Sequence, residues 1–371
     1  MKVGVPREIK VQEYRVGLTP MAVREYVAAG HEVLVEAGAG LGIGAADAAY
    51  VTAGARILDT ARAVFQAADM IVKVKEPQPA EWKMLREGQL LFTYLHLAPD
   101  RAQTLGLLES GCIAVAYETV TDEHGGLPLL APMSEVAGRL AIEAAAFSLR
   151  KPAGGKGLLL GGVPGVPPAR VVVIGGGVVG THAARMAAGL GAEVTVLDRS
   201  LPRLRQLDDL FTGRVRTRYA TAGSIEEEVL AADVVVGAVL IPGASAPRVI
   251  TRKMLAHMRP RSVLVDVSID QGGCFETSHA TTHEEPTYVV DDIIHYCVAN
   301  MPGAVPATSS HALNHATLPF GLALAAGGAQ ALVRDPHLRA GLNVHRGRLT
   351  CLPVAQAHGL EALTPEAALG M

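Results

Sequence analysis

The stretch Val171-Val-Val-Ile-Gly175-Gly-Gly177-Val-Val-Gly180 decides the fold, because four β-branched residues run straight into Gly-x-Gly-x-x-Gly. A short apolar run of this kind reads as a buried parallel strand, and the glycines mark a tight turn into a helix. The first glycine permits the turn, the second lets the backbone approach a pyrophosphate, and the third lets helix and strand pack closely. Amides at the helix N-terminus then face the phosphate charge. A second strand, residues 193–197, leads to Asp198. A carboxylate there accepts hydrogen bonds from ribose hydroxyls and repels a 2′-phosphate. Strand, turn, helix, second strand and terminal acid together specify a dinucleotide and favour NAD over NADP, with Arg199 and Arg203 close by in sequence.

Outward from this turn, apolar runs alternate with helical segments in both directions. Downstream, residues 215–218, 233–236, 263–267 and 297–299 read as strands, and 178–190, 203–211 and 225–230 as helices. Thr251 is placed to cap a helix over 252–258. Upstream, residues 3–5, 33–35, 70–74, 90–95 and 113–116 read as strands, with helices over 20–29, 61–67, 81–86 and 101–109. The first of these helices has clear punctuation: Thr19 as cap, Pro20 in the first turn and Gly30 as terminator. Residues 151–168, rich in glycine and proline, read as a long loop or hairpin leading into a new unit. Beyond Pro306 the apolar stretch 318–333 reads as one more helix, returning to pack on the first domain. The expected architecture is α/β, with two doubly wound Rossmann-like domains. The NAD domain, 130–305, is inserted into a discontinuous substrate domain, 1–129 and 306–371.

Composition bounds the alternatives. A chain of 371 residues suits two domains. No apolar run reaches the length of a membrane span, and residues 1–8 lack a signal-peptide core, so a cytoplasmic protein is expected. Cys112, Cys274, Cys297 and Cys351 are widely separated, which fits reduced thiols rather than disulfides or zinc. With 33 basic against 36 acidic residues, net charge −3, no field attracts nucleic acid. His279/His283 and His311/His315 have metal-like spacing, but no carboxylate or cysteine pattern completes a site, and no metal is expected. Gly154-Gly-Lys156-Gly lacks the Ser or Thr of a Walker loop.

A dehydrogenase also needs a proton acceptor and groups that fix its substrate. His96 ends the run Leu90-Leu-Phe-Thr-Tyr-Leu-His96, at the carboxyl end of a strand, where active groups of doubly wound folds sit. Its ordinary pKa near neutrality suits proton exchange, and a hydrogen-bonded structural histidine is the other reading. Lys75 ends residues 70–75. Lys73 shares its face by alternation, so one of the two is expected to be merely solvated. Arg15, in the loop 10–17, can offer a carboxylate a two-pronged contact. Taken singly, each of these cations reads as a surface charge. Asp270 follows the strand 263–267 and precedes Gly272-Gly273, which puts a carboxylate at the crevice edge, while Asp266 inside the strand reads as a buried structural acid.

With these residues in place, the chain closely resembles the alanine dehydrogenase family over nearly its whole length. The matching blocks are Val5-Pro-Arg-Glu-Ile-Lys10, Val72-Lys-Val-Lys-Glu-Pro77, Leu91-Phe-Thr-Tyr-Leu-His96 and Pro132-Met-Ser-Glu-Val-Ala-Gly138. The loop 161–168, Asp270-Gln-Gly-Gly273 and Asn300-Met-Pro-Gly-Ala-Val-Pro306 complete the set. The resemblance implies oxidative deamination of L-alanine to pyruvate and ammonium with NAD, the reverse amination, and a homohexamer. It implies that Arg15 and Lys75 hold the substrate, that His96 is the acid/base, and that Asp270 helps activate water. The positions it assigns to the cofactor are Ser134, Gly175, Gly177, Val178, Val179, Gly180, Asp198, Arg203, Val239, Leu240, Val267, Asp270, Val298, Asn300 and Met301. Two positions depart from the family pattern: His279-Ala280 stands where Arg-Pro is common, and Ala307 where a basic residue is usual. Related readings are a dehydrogenase of another amino acid, the soluble subunit of a transhydrogenase, and a catalytically silent NAD-binding scaffold.

Overall fold

Adjacent side chains of the decisive strand point into two different cores. Val171 and Val173 pack with Val194, Val196, Val234, Val236 and Val265 on one face of a sheet. Val172 and Ile174 pack with Leu197, Val235 and Leu264 on the other. A strand repeats its side-chain direction every two residues, so an unbroken β-branched run fills both faces at once. The computed structural model describes residues 1–239 and 246–371.

Strands β1 (Lys2–Val5), β2 (Glu32–Glu36), β3 (Arg56–Leu58), β4 (Met70–Val72), β5 (Leu90–Thr93) and β6 (Ile113–Ala116) come first. They are followed by β7 (Arg170–Ile174), β8 (Glu193–Asp198), β9 (Arg216–Tyr219), β10 (Val234–Gly237), β11 (Val263–Asp266), β12 (Thr287–Val290) and β13 (Ile293–Tyr296). The chain finishes its strands with β14 (Leu342–His345) and β15 (Arg348–Leu349). One sheet has the order β15-β14-β6-β5-β4-β1-β2-β3, the other β12-β13-β11-β10-β7-β8-β9. Each is parallel except at one edge, where β14 and β15 or β12 run antiparallel. Two compact units result, residues 1–133 with 303–371, and residues 134–302, so the second sheet is inserted within the first unit's sequence.

Local signals explain several boundaries. Thr19 Oγ1 accepts from Ala22 N–H at the start of the helix Pro20–Ala28, and Gly30 follows it at φ +83°. Thr251 occupies the N-cap of Arg252–Leu255 but makes no side-chain cap bond. Glu276 serves there instead, accepting from Arg252 N–H at 2.7 Å. The expected strand over 297–299 lies too late, because β13 ends at Tyr296 and only Val298 forms an isolated bridge, to Thr281. His295 disguised the true strand. It is fully buried in β13, with its ring nitrogens on Thr277 Oγ1 at 2.7 Å and the Ile293 carbonyl at 3.0 Å.

The last long helix also begins earlier than hydropathy suggests. It runs Pro306–Gly327, breaks at Gly328 (φ +56°), and gives way to Ala329–Arg334. Its first turns bury Ser309, Ser310 and Asn314 beside a single apolar residue, Leu313. Ser310 Oγ accepts from Val16 N–H at 3.2 Å, Asn314 Oδ1 from Thr19 N–H at 2.6 Å, and Asn314 Nδ2 donates to the Gly17 carbonyl at 2.9 Å. These bonds tie the helix to the loop between β1 and the first helix. The expected helix over 81–86 is a single turn, Pro79–Trp82, and the 18-residue helix Ala131–Ser148 was not anticipated. Among the described residues no helix is long and apolar enough to cross a membrane.

Lys156, the lysine of the incomplete Walker-like run, is structural. It donates to Asp233 Oδ1 at 2.9 Å and to Ser262 Oγ at 3.0 Å. Asp233 also accepts from Arg170 N–H at 2.9 Å and lies 3.4 Å from Arg259. Burial alone would raise the Asp233 carboxyl, but the Arg170 amide, Lys156 and Arg259 outweigh it and hold it below the ordinary value. A depressed carboxyl stabilises the fold above its unfolded pKa of about 3.9, and the contribution disappears as pH falls through the lower folded value. Asp233→Asn should therefore cost about 1–3 kcal/mol at pH 7. Denaturant midpoints across pH test this: the gap between variant and parent should narrow in acid, and a pH-independent gap would refute it.

Candidate active site

In the first sheet the strand order reverses between β1 and β4, the switch point at which open α/β sheets bind ligands beyond their carboxyl ends. The segments leaving β1, β4 and β5 carry Glu8, Glu13 and Arg15, then Lys73, Lys75 and Glu76, then His96. Expected surface charges turn out to be interior ones. Arg15 is 2% exposed, Lys73 0% and Lys75 9%, so neither lysine is merely solvated. A buried cation needs a partner, and acids from the same edge supply it.

Arg15 donates through Nε and Nη2 to the two Glu13 oxygens at 2.7 and 2.5 Å, and through Nη1 to the Met133 sulfur at 3.1 Å. Burial works against its charge, but Glu13 overcomes that and raises its pKa further. Lys73 meets Glu8 at 2.9 Å and Glu81 at 2.8 Å. Here too burial opposes the charge, and the two carboxylates hold the ammonium above the ordinary lysine range. Glu8 Oε1 accepts from Val74 N–H at 2.6 Å and, weakly, from Lys75 N–H at 3.4 Å. Thr93 Oγ1 donates to the Lys75 carbonyl at 3.0 Å. The backbone under Lys75 is thus held from both sides. Glu76 pairs with Lys10; burial would raise its carboxyl, but Lys75, Lys10 and His96 hold it down.

His96 is exposed at φ +49°, between buried Leu95 and Leu97. Glu118, at the end of β6, accepts from His96 N–H at 2.7 Å and from Leu95 N–H at 3.1 Å. The Tyr94 ring stacks with the imidazole, centroids 5.8 Å apart and planes within 11°. The first unit therefore brings Arg15, Lys75 and His96 to one sheet edge. Glu8, Glu13 and Glu118 support them, Glu81 pairs with Lys73, and the sequence reading gives none of these acids a role. Glu8 lies inside the block 5–10, but nothing local pairs it with a lysine 65 positions away.

The second unit builds its edge from backbone. Its strand order reverses between β7 and β10, and the glycine turn leaves β7 there. Gly175 has φ +102°, and a Cβ on it would fall 2.4 Å from the Ala238 carbonyl oxygen. A Cβ on Gly180 would fall 1.8 Å from the Gly175 oxygen, so strand and helix approach as only glycine allows. A Cβ on Gly177 would meet no atom of the described residues within 4 Å, which leaves space among them beside the N-cap of the helix Val178–Gly189. Val178 and Val179 open that helix. Asp198 and Arg203 grip the turn: Asp198 accepts from Gly176 N–H and Ser200 N–H, both at 2.7 Å, while Arg203 Nε donates to the Gly176 carbonyl and Nη2 to Thr181 Oγ1, also at 2.7 Å.

Asp266 is the buried acid, accepting from Cys274 N–H at 2.8 Å, Ser278 Oγ at 2.5 Å and Ser268 N–H at 3.0 Å. Asp270 is exposed in the turn Val267–Gln271 that follows β11 and includes Val267. Ser268 Oγ ties this turn to the Val239 carbonyl at 2.8 Å. Val298 and Met301 are buried, Asn300 between them has φ +58°, and Ser134 lies on the helix Ala131–Ser148. Leu240 lies outside the described residues. The His279 ring stacks on Tyr288 at 3.6 Å, and its amide donates to the Tyr288 hydroxyl at 3.0 Å.

Residues 4–137 match the family description "Alanine dehydrogenase/PNT, N-terminal domain", and residues 141–351 match "Alanine dehydrogenase/PNT, C-terminal domain". The chain belongs to the alanine dehydrogenase/PNT family. A relative from Halomonas elongata named alanine dehydrogenase is 60% identical over 371 residues, covering 100% of both chains. A solved structure titled L-alanine dehydrogenase superposes with a TM-score of 0.94 at 51% identity, covering 97% of this chain and 99% of that one. The transhydrogenase of Sinorhizobium meliloti superposes at 0.82 with 27% identity, over 94% and 100%. The two doubly wound sheets are thus the architecture of an alanine dehydrogenase/PNT member, with the switch-point edges described above.

Removing the ammonium of Lys73 would strand two carboxylates in the interior. Lys73→Ala should cost about 3–5 kcal/mol, the range for breaking a buried ion pair from one side. Urea denaturation measures this, and a loss below about 1 kcal/mol would show the site to be solvated after all.

Proposed function

We propose that the chain oxidatively deaminates L-alanine to pyruvate and ammonium with NAD, and catalyses the reverse reductive amination. The observation that carries this reading is the placement of Arg15, Lys75 and His96 on one sheet edge. Two buried cations suit an amino-acid carboxylate, and an exposed imidazole is a side chain suited to general acid/base work. The 60%-identical relative named alanine dehydrogenase supports alanine as the substrate. As the family resemblance implies, we extend the reading to a cytoplasmic homohexamer.

Arg15 engages Glu13 through its Nε–Nη2 edge. A two-pronged substrate contact uses the Nη1–Nη2 edge, and the sulfur beside Nη1 is a weak acceptor that a carboxylate outcompetes. Lys75 adds charge beside the same substrate and draws electron density onto the carbonyl oxygen, opening the carbon to attack. NAD supplies the hydride acceptor for the alanine Cα. Its fit to the second unit is supported by the open space at Gly177, the helix N-terminus beside it, and lone pairs that Asp198 retains for ribose hydroxyls. Loss of hydride from alanine whose amino group is neutral leaves an iminium ion. His96 takes a proton from the water that adds to it, and returns one to nitrogen as the carbinolamine collapses to pyruvate and ammonium. Asp270 is the second unit's candidate for proton traffic, exposed after β11.

NADH formation with a panel of L-amino acids tests the reading. L-Alanine should be strongly preferred, and His96→Ala should lower kcat by about 10²-fold or more. Equal turnover of bulky amino acids would rule out the substrate, and full activity in His96→Ala would remove that residue from its role. Asp198→Ala should shift the ratio of kcat/KM for NAD over NADP toward NADP. The ratio is the informative quantity, because the variant also loses the acceptor for Gly176 and Ser200; an unchanged ratio would defeat the assignment.

A further inference from the structure

We propose that Glu118 is a positioning residue for His96, holding the left-handed backbone turn that presents the imidazole; the proposal rests on His96 being the acid/base. β5 ends at Thr93, and three residues later the backbone stands at φ +49°. For a residue with a Cβ this conformation costs on the order of 1 kcal/mol, and it persists only where its surroundings impose it. Glu118 imposes it. Its Oε1 accepts from two successive amides, Leu95 at 3.1 Å and His96 at 2.7 Å, and its Oε2 stands 3.2 Å from the Leu95 amide. Successive N–H groups converging on one carboxylate make charge-assisted bonds, about twice as strong as neutral ones.

The supporting frame is rigid on both sides. Glu118 belongs to the turn Tyr117–Thr119 directly after β6, which pairs in parallel with β5 through Thr93 and Ala116. The Leu95 carbonyl accepts from Gln103 Nε2 at 2.9 Å, and the Leu97 carbonyl from Thr104 Oγ1 at 3.1 Å and a His358 ring nitrogen at 2.8 Å. Tyr94, which stacks on the imidazole, donates its hydroxyl to the Leu129 carbonyl at 2.6 Å. The backbone around His96 is therefore tied at every side while the imidazole itself stays exposed. A turn that needed only a left-handed residue would be relieved by glycine. Keeping a histidine there retains strain in exchange for a fixed imidazole.

A double-mutant cycle on the full chain with NAD and L-alanine tests this. Glu118→Ala should lower kcat by about 10²-fold, the loss expected of a misplaced catalytic group, with the alanine KM changed by less than about threefold. Glu118→Gln keeps an acceptor for the amides and should recover to within about tenfold of the parent. In a His96→Ala background Glu118→Ala should have no further effect on kcat, because it acts through a group already gone. Multiplicative effects would show that Glu118 acts independently of His96 and would overturn the proposal, as would unchanged kcat in Glu118→Ala. If Glu118→Ala does not fold, Glu118→Asp, which draws the carboxylate back by one methylene, carries the cycle, and an unchanged kcat in it or a loss that multiplies with that of His96→Ala would refute the proposal. Full activity in His96→Ala alone would overturn both the acid/base reading and this proposal, whereas collapse there with Glu118 inert sinks this proposal only.

Discussion

Lys73 has no exposed surface, and the ammonium at its tip would cost several kcal/mol in the interior without Glu8 and Glu81 at 2.9 and 2.8 Å. Glu8 follows β1 and Lys73 follows β4, the neighbouring strands at which the order of the sheet reverses. The ion pair therefore closes the switch point from within. Its second effect is directional, because the other Glu8 oxygen accepts from the amides of Val74 and Lys75. One carboxylate thus answers a buried charge and fixes the backbone from which the next cation departs. Arg15 is treated the same way by Glu13, two residues before it. Mobile surface lysines and arginines sample many rotamers, whereas these buried cations have few left to lose on binding the substrate proposed for them.

How much of this could be read in the sequence depended on how local the cause was. The two cores of the second sheet follow from a period of two in Val171–Ile174, and the cap at Thr19 from a hydroxyl three residues before an amide. Those causes lie within one turn or one strand. Pairings across strands have no fixed spacing: 65 positions separate Glu8 from Lys73, and 22 separate His96 from Glu118. That is why the lysines and Arg15 looked like surface charges and proved to be interior ones. The helix Pro306–Gly327 was hidden for a related reason, since the start of its buried face is largely polar and includes Ser310 and Asn314, whose partners are backbone groups of residues 16–19. Hydropathy registers burial of apolar side chains and is blind to a polar face satisfied by a distant loop.

The two sheets share the order 3-2-1-4-5-6 along their parallel strands, counted within each unit, yet their switch points are furnished differently. In the first unit the edge consists of side chains on rigid supports: a paired guanidinium, a buried lysine and an imidazole on a strained turn. In the second it is backbone, with three glycines, a helix N-terminus and two side chains that hold the Gly176 amide and carbonyl from opposite sides. On the proposed reading, the difference follows from the size of what each surface would recognise. A small amino acid has a few polar atoms, each of which needs its own directed side chain. A pyrophosphate spreads charge over many oxygens and is best met by a row of amides that a Cβ would push away. Asp198 stands where the two modes meet. It is bonded to backbone through both oxygens, so it cannot swing aside, and on the proposed NAD reading a fixed carboxylate would discriminate against an added phosphate more firmly than one free to turn.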